Sequence, residues 1–84
     1  MAFIRRGNIS FLHKPSARII VHRFDGTVVN LLLREIGCYE EHKMPCGHFV
    51  VCIYWGIASM TCVRETFLEL DFLLKSQEVR YAQT

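Results

Sequence analysis

Apolar and polar positions along the chain divide into stretches that read as strands and a final stretch that reads as a helix. Ala17 to Phe24 is rich in β-branched and aromatic residues, and Asp25-Gly26 follows directly. An Asp-Gly pair between apolar runs predicts a β-hairpin, since these residues tolerate the positive φ of a two-residue turn. Pairing across that turn sets Phe24 against Thr27, His22 against Val29 and Ile20 against Leu31, all six on one face. A competing pattern starts a helix at Thr27, with Val28, Val29, Leu32, Leu33 and Ile36 as its stripe and Gly37 as its C-terminal stop. The hairpin is the preferred reading, with room for a short helix over residues 31–36.

Phe49 to Ile57 has the composition of a strand buried on both faces, ended or bulged at Gly56. Beyond it, Ser59 or Thr61 can cap a helix whose first turn holds Glu65. Val63, Phe67, Leu70 and Leu74 then form one apolar stripe, and Lys75 sits where a helix C-terminus favours positive charge. Leu68 and Phe72 fall on the opposite face, between Glu65, Glu69 and Asp71. A helix apolar on two sides asks for a second surface, such as another copy of the chain. Read as a strand instead, Leu68, Leu70, Phe72 and Leu74 alternate with the acids and need only one face. Length and caps favour the helix. The expected fold is α+β: one small domain over residues 17–84, built from a β-hairpin, a third buried strand and a C-terminal amphipathic helix. Residues 1–16 precede it as a basic arm.

Five soft-ligand residues run from beyond the hairpin into the apolar strand: Cys38, His42, Cys46, His48 and Cys52. Thiolate and imidazole build four-coordinate zinc sites, and short chains often rely on such a staple. If residues 38–42 turn helically and 46–52 are extended, Cys38 and His42 share one helix face while Cys46 and His48 share one strand face. Structural zinc is therefore the one cofactor the sequence suggests. The spacing matches no paired C-x2-C pattern, and the competing reading makes these cysteines small buried hydrophobes.

Charge is segregated. Residues 1–24 carry Arg5, Arg6, Lys14, Arg18 and Arg23 with no acid, whereas residues 25–84 carry five basic and eight acidic side chains, a balance of −3. The basic stretch, interleaved with Phe3, Phe11, His13 and His22, could hold phosphate while its rings stack on bases, so RNA is a candidate partner. A solvated terminus is the plainer alternative. From Met44 to Val63 there is no charged residue. The continuous apolar part is only Phe49 to Val63, short for a bilayer, which makes a membrane-associated role the lesser reading. The opening Met-Ala-Phe-Ile-Arg-Arg has no apolar core of a signal peptide, so an intracellular setting, cytoplasm or nucleus, is expected, with reduced thiols.

No G-x-S-x-G, P-loop or G-x-G-x-x-G is present, and nothing here asks for catalysis. In its richness in cysteine, histidine and aromatics, with little alanine or lysine, the chain resembles small viral accessory proteins encoded in overlapping frames. That resemblance rests on composition and assigns no residues. It implies a protein that binds a host protein or RNA rather than one that turns over a substrate. The expected role is a non-enzymatic regulatory interaction protein that binds a partner or dimerises, with Leu68 and Phe72 in the contact.

Overall fold

A computed structural model describes residues 2–9, 14 and 16–77. The chain runs through strands β1 (Ala2–Asn8), β2 (Arg18–His22) and β3 (Val28–Leu32), a 3-10 turn (Leu33–Glu35), then β4 (Ile36–Lys43), β5 (Phe49–Trp55) and β6 (Ser59–Val63), and ends in helix α1 (Phe67–Lys75). Two antiparallel sheets result: β1-β4-β5-β6, and the β2-β3 hairpin. The α+β expectation holds at this level, with more strand than foreseen.

The hairpin forms, but in a different register. Gly26 N–H donates to Arg23 C=O at 3.0 Å, Arg23 N–H donates to Thr27 C=O at 2.9 Å, and Gly26 has φ 89°. This is a three-residue connection, a turn followed by a left-handed glycine, rather than a two-residue turn. One extra loop residue shifts the pairing to Val21–Val29, Ile20–Asn30 and Ile19–Leu31. Side chains alternate along a strand, so the slip changes which residues are covered. Ile19, Val21 and Leu31 are buried, while Ile20 stays 53% exposed. The β4–β5 connection is built alike, with Met44 N–H to His48 C=O at 2.7 Å and Gly47 at φ 93°. Its Pro45 suits the second position of such a turn.

The expected arm over residues 1–16 is in part a strand. β1 lies antiparallel to β4, with Arg5 opposite Glu41 and Arg6 opposite Glu40. Cross-strand pairs of opposite charge stabilise a ladder, and here they recruit the basic segment to the acidic strand. Gly7 lies opposite Tyr39, whose ring covers it so closely that a Cβ at position 7 would collide with the ring. The Tyr39 hydroxyl reaches on to Asp71 Oδ1 of α1 at 3.0 Å. Its ring packs on Phe67, with centroids 5.1 Å apart.

The helix begins later than the Ser59 or Thr61 caps imply. Ser59–Val63 instead pairs with β5, and Thr61 Oγ1 accepts a hydrogen bond from Trp55 Nε1 at 2.9 Å. Thr66 is the cap: its hydroxyl accepts from Glu69 N–H at 3.1 Å while Glu69 Oε1 accepts from Thr66 N–H at 2.8 Å. This reciprocal pair satisfies two otherwise unpaired donors of the first turn. The stripe of Val63, Phe67, Leu70 and Leu74 is buried as expected. It joins Ile19, Val21, Leu31, Leu33, Ile36, Tyr39, Val51 and Ile53 in one core. Residues 44–63 thus form a turn, β5, a second turn and β6. Among the described residues, no helix is long and apolar enough to cross a membrane.

Candidate functional site

The soft-ligand cluster does not assemble. Cys38 and His42 both lie on β4, which is extended rather than helical, and a strand separates residues four apart by about 13 Å. Cys46 and His48 are exposed in the β4–β5 turn. Cys52 is on β5, and its Sγ meets Cys62, not another member of the five. Among the described residues no three His, Cys, Asp or Glu side chains are arranged to hold a metal ion.

What β4 does build, on the sheet face turned away from the core, is a cluster around Glu40. Arg6 Nε donates to Glu40 Oε2 at 2.8 Å, with a second, shorter contact from the Arg6 Nη2, and His42 Nε2 shares a hydrogen bond with Glu40 Oε1 at 3.0 Å. The Phe3 ring lies edge-on to His42 at 5.9 Å. Glu40 is 6% exposed, and its side-chain partners among the described residues are Arg6, His42 and Tyr54. The Arg6 hydrogen bond holds its carboxyl below the usual carboxylate range, helped by Tyr54, His42 and the Arg6 charge, against the opposing effect of burial.

The basic residues are spread rather than gathered. Arg5 Nε donates to Glu41 Oε1 at 2.9 Å, and its guanidinium lies 4.2 Å from the Phe67 ring centroid. Arg6 is engaged with Glu40. Lys14 and Arg18 are exposed, the latter on β2, and Arg23 closes the hairpin loop. Phe11 and His13 lie outside the described residues.

Leu68 and Phe72 are 67% and 72% exposed, on the α1 face opposite its buried stripe. They are not isolated. With Glu65, Glu69 and Leu73 they form one wall of a groove of ≈ 530 Å³, and Ile20 and His22 of β2 form the other. Glu65 ties the two walls together: Oε1 accepts from His22 N–H at 2.9 Å and Oε2 lies 2.7 Å from His22 Nδ1. Burial opposes ionisation of Glu65, but the His22 ring and backbone N–H outweigh it and hold the carboxyl below its ordinary value. Arg64 N–H adds to this tie by donating to His22 C=O at 2.8 Å.

These bonds fix which way β2 presents its backbone. Arg23 N–H donates to Thr27 and Leu33 N–H donates to Ala17 C=O, so the odd-numbered residues of β2 face β3. The even-numbered ones face outward. At His22 the outward groups are taken by Arg64 and Glu65. At Ile20 and Arg18 they have no partner among the described residues, and Ile20 borders the groove. The sequence placed Leu68 and Phe72 on the free helix face, where they are exposed, but did not single out Ile20, His22 and Glu65 beside them. The three-residue loop, which Asp-Gly does not distinguish from a two-residue turn, is what turns Ile20 outward. Comparison with protein-family models, with curated proteins and with solved structures gives no match.

Proposed function

We propose that the protein is a small non-enzymatic interaction module, and that the groove between β2 and α1 takes an extended segment of a partner protein as an added strand. The observation that carries this reading is the backbone edge at Ile20, open among the described residues, beside the exposed Leu68 and Phe72. An incoming strand gains main-chain hydrogen bonds from such an edge and specificity from the pocket beside it. Apolar side chains of the segment would rest on Leu68, Phe72 and Ile20. Besides His22, the charged groups lining the groove are the carboxylates of Glu65, already bonded to His22, and of Glu69, so the fitting segment carries Arg or Lys next to its apolar anchor.

A library of extended peptides selected against the full chain tests this. Enriched sequences should combine an apolar residue with a basic neighbour, bind less tightly as salt rises, and fail when alternate backbone amides are N-methylated. Leu68→Ser with Phe72→Ser should abolish the binding. Binding that survives both N-methylation and the double substitution overturns the proposal. So does a light-scattering dimer that the double substitution dissociates and no peptide competes away, because the groove's occupant would then be a second copy.

A further inference from the structure

Two thiols touch on the outward face of the four-stranded sheet. Cys52 of β5 and Cys62 of β6 are cross-strand partners, with Sγ atoms 3.1 Å apart, and Cys62 Sγ is 3.6 Å from Met60 Sδ. The β4–β5 turn settles the type of pairing. Met44 and His48 form a hydrogen-bonded pair, and the alternation of an antiparallel ladder makes His42–Val50 and Glu40–Cys52 hydrogen-bonded as well. Cys52 therefore directs its backbone N–H and C=O toward β4. Across its other edge the pair with Cys62 is of the non-hydrogen-bonded kind, where opposed Cα atoms lie about 4.5 Å apart and side chains come closest. That separation lies within the range of about 4.4–6.8 Å that a disulfide spans.

We propose that Cys52 and Cys62 form a redox-active dithiol site that closes to a cross-strand disulfide by exchange with a small-molecule disulfide of the glutathione class. Cys62, partly exposed, attacks first. Its thiolate, the proton lost to solvent, bonds to one sulfur of the oxidant. The oxidant's S–S bond breaks, and the departing thiolate takes up a proton. Cys52 then gives up its own proton and attacks Cys62 Sγ, expelling the second small thiolate, which is protonated in turn. Two protein thiols are oxidised by two electrons and one small disulfide is reduced to two thiols.

The environment fits this order. Cys52 is 2% exposed, and burial, together with the neighbouring Cys62 and the Glu40 charge, pushes its thiol up to about 12. A thiol so held is the poorer first attacker, which leaves the more exposed Cys62 to open the exchange. Cys46 differs. It is exposed in the β4–β5 turn with no thiol beside it among the described residues, and a mixed disulfide there has nothing to resolve it.

The test equilibrates the reduced full chain with glutathione buffers of rising oxidised fraction, quenches by alkylation and maps chymotryptic peptides, since cleavage after Tyr54 and Trp55 separates the two cysteines. The expected product is a linked 52–62 peptide two hydrogen atoms lighter than its reduced parts, with glutathione retained on Cys46. Cys52→Ser should leave glutathione trapped on Cys62, and Cys62→Ser should leave Cys52 unmodified. Cys38→Ser should form the 52–62 link as before. A wild-type chain that carries stable glutathione on Cys62, links Cys38 or Cys46 instead, or keeps both thiols free once Cys46 has fully reacted overturns the proposal. Those wild-type readouts decide the matter even if a serine variant fails to fold.

Discussion

Ile53 and Cys52 are neighbours on β5 and both are shut from water, but they are covered by different things. Ile53 belongs to the core shared by both sheets and α1, whereas Cys52 looks the other way, toward Cys62 and the Glu40 cluster. The first is surrounded by atoms that came from distant parts of the chain. The second is screened, among the described residues, by side chains of the adjacent strands on the outward face. Equal exposure therefore hides unequal energetics: truncating a packed side chain leaves a void, while a thin outer layer can relax over the gap.

The sharpest way to break that contrast is truncation on both sides. Ile53→Ala should destabilise the fold by about 2–5 kcal/mol. Cys52→Ala should cost about 1 kcal/mol or less, in the range of ordinary substitutions. Equal shifts in a urea titration would erase the distinction. Next in size is Gly7→Ala, whose methyl group would meet the buried Tyr39 ring. Overpacking of this kind costs about 1–3 kcal/mol, read as a lowered melting temperature. Thr66→Ala, which removes half of the reciprocal cap on the core-facing helix, should cost about 1 kcal/mol by the same melting experiment.

Acid sharpens the comparison from the outward side. The folded chain holds the Glu40 and Glu65 carboxyls below their ordinary value of 4.5. It binds fewer protons there than the unfolded chain, so their contribution is full above that value and fades as pH falls through the folded values. Melting temperatures from pH 7 to pH 3 should fall, and Glu40→Gln should be less stable at neutral pH with a shallower fall. An unchanged slope in Glu40→Gln would show that the cluster does no work. The smallest expected effect belongs to Leu68→Ser with Phe72→Ser. Stability should stay within about 0.5 kcal/mol per substitution, even as peptide binding is lost, because neither side chain supports the core.

What could be read from the sequence was mostly local. The buried β5 run, the stripe from Val63 to Leu74 and the Asp-Gly hairpin signal all depend on residues within a few turns of one another. Register did not follow, because Asp-Gly fits a two-residue turn and a three-residue loop alike, and one residue decides whether Ile20 or Ile19 is inside. β1 and β4 were hidden for another reason: their pairing joins Arg5 to Glu41 and Arg6 to Glu40 across more than thirty residues. The charge segregation between the chain's two parts was the trace of that pairing, and it read as an arm. Proximity in sequence misled for the ligand cluster, where extension along β4 parted Cys38 from His42. Strand alternation brought Cys52 instead to Cys62, ten residues on. The Thr66-x-x-Glu69 cap was legible and was passed over for the nearer Ser59 and Thr61.

The bare position under the Tyr39 ring has a consequence for assembly. Slide the first strand by two residues in either direction and an arginine or an isoleucine would arrive where only a hydrogen fits. Misaligned docking, and exchange of this strand for a stranger's, would thus be rejected by shape before charge is consulted, so that the sheet's outermost member works as a key cut for a single lock.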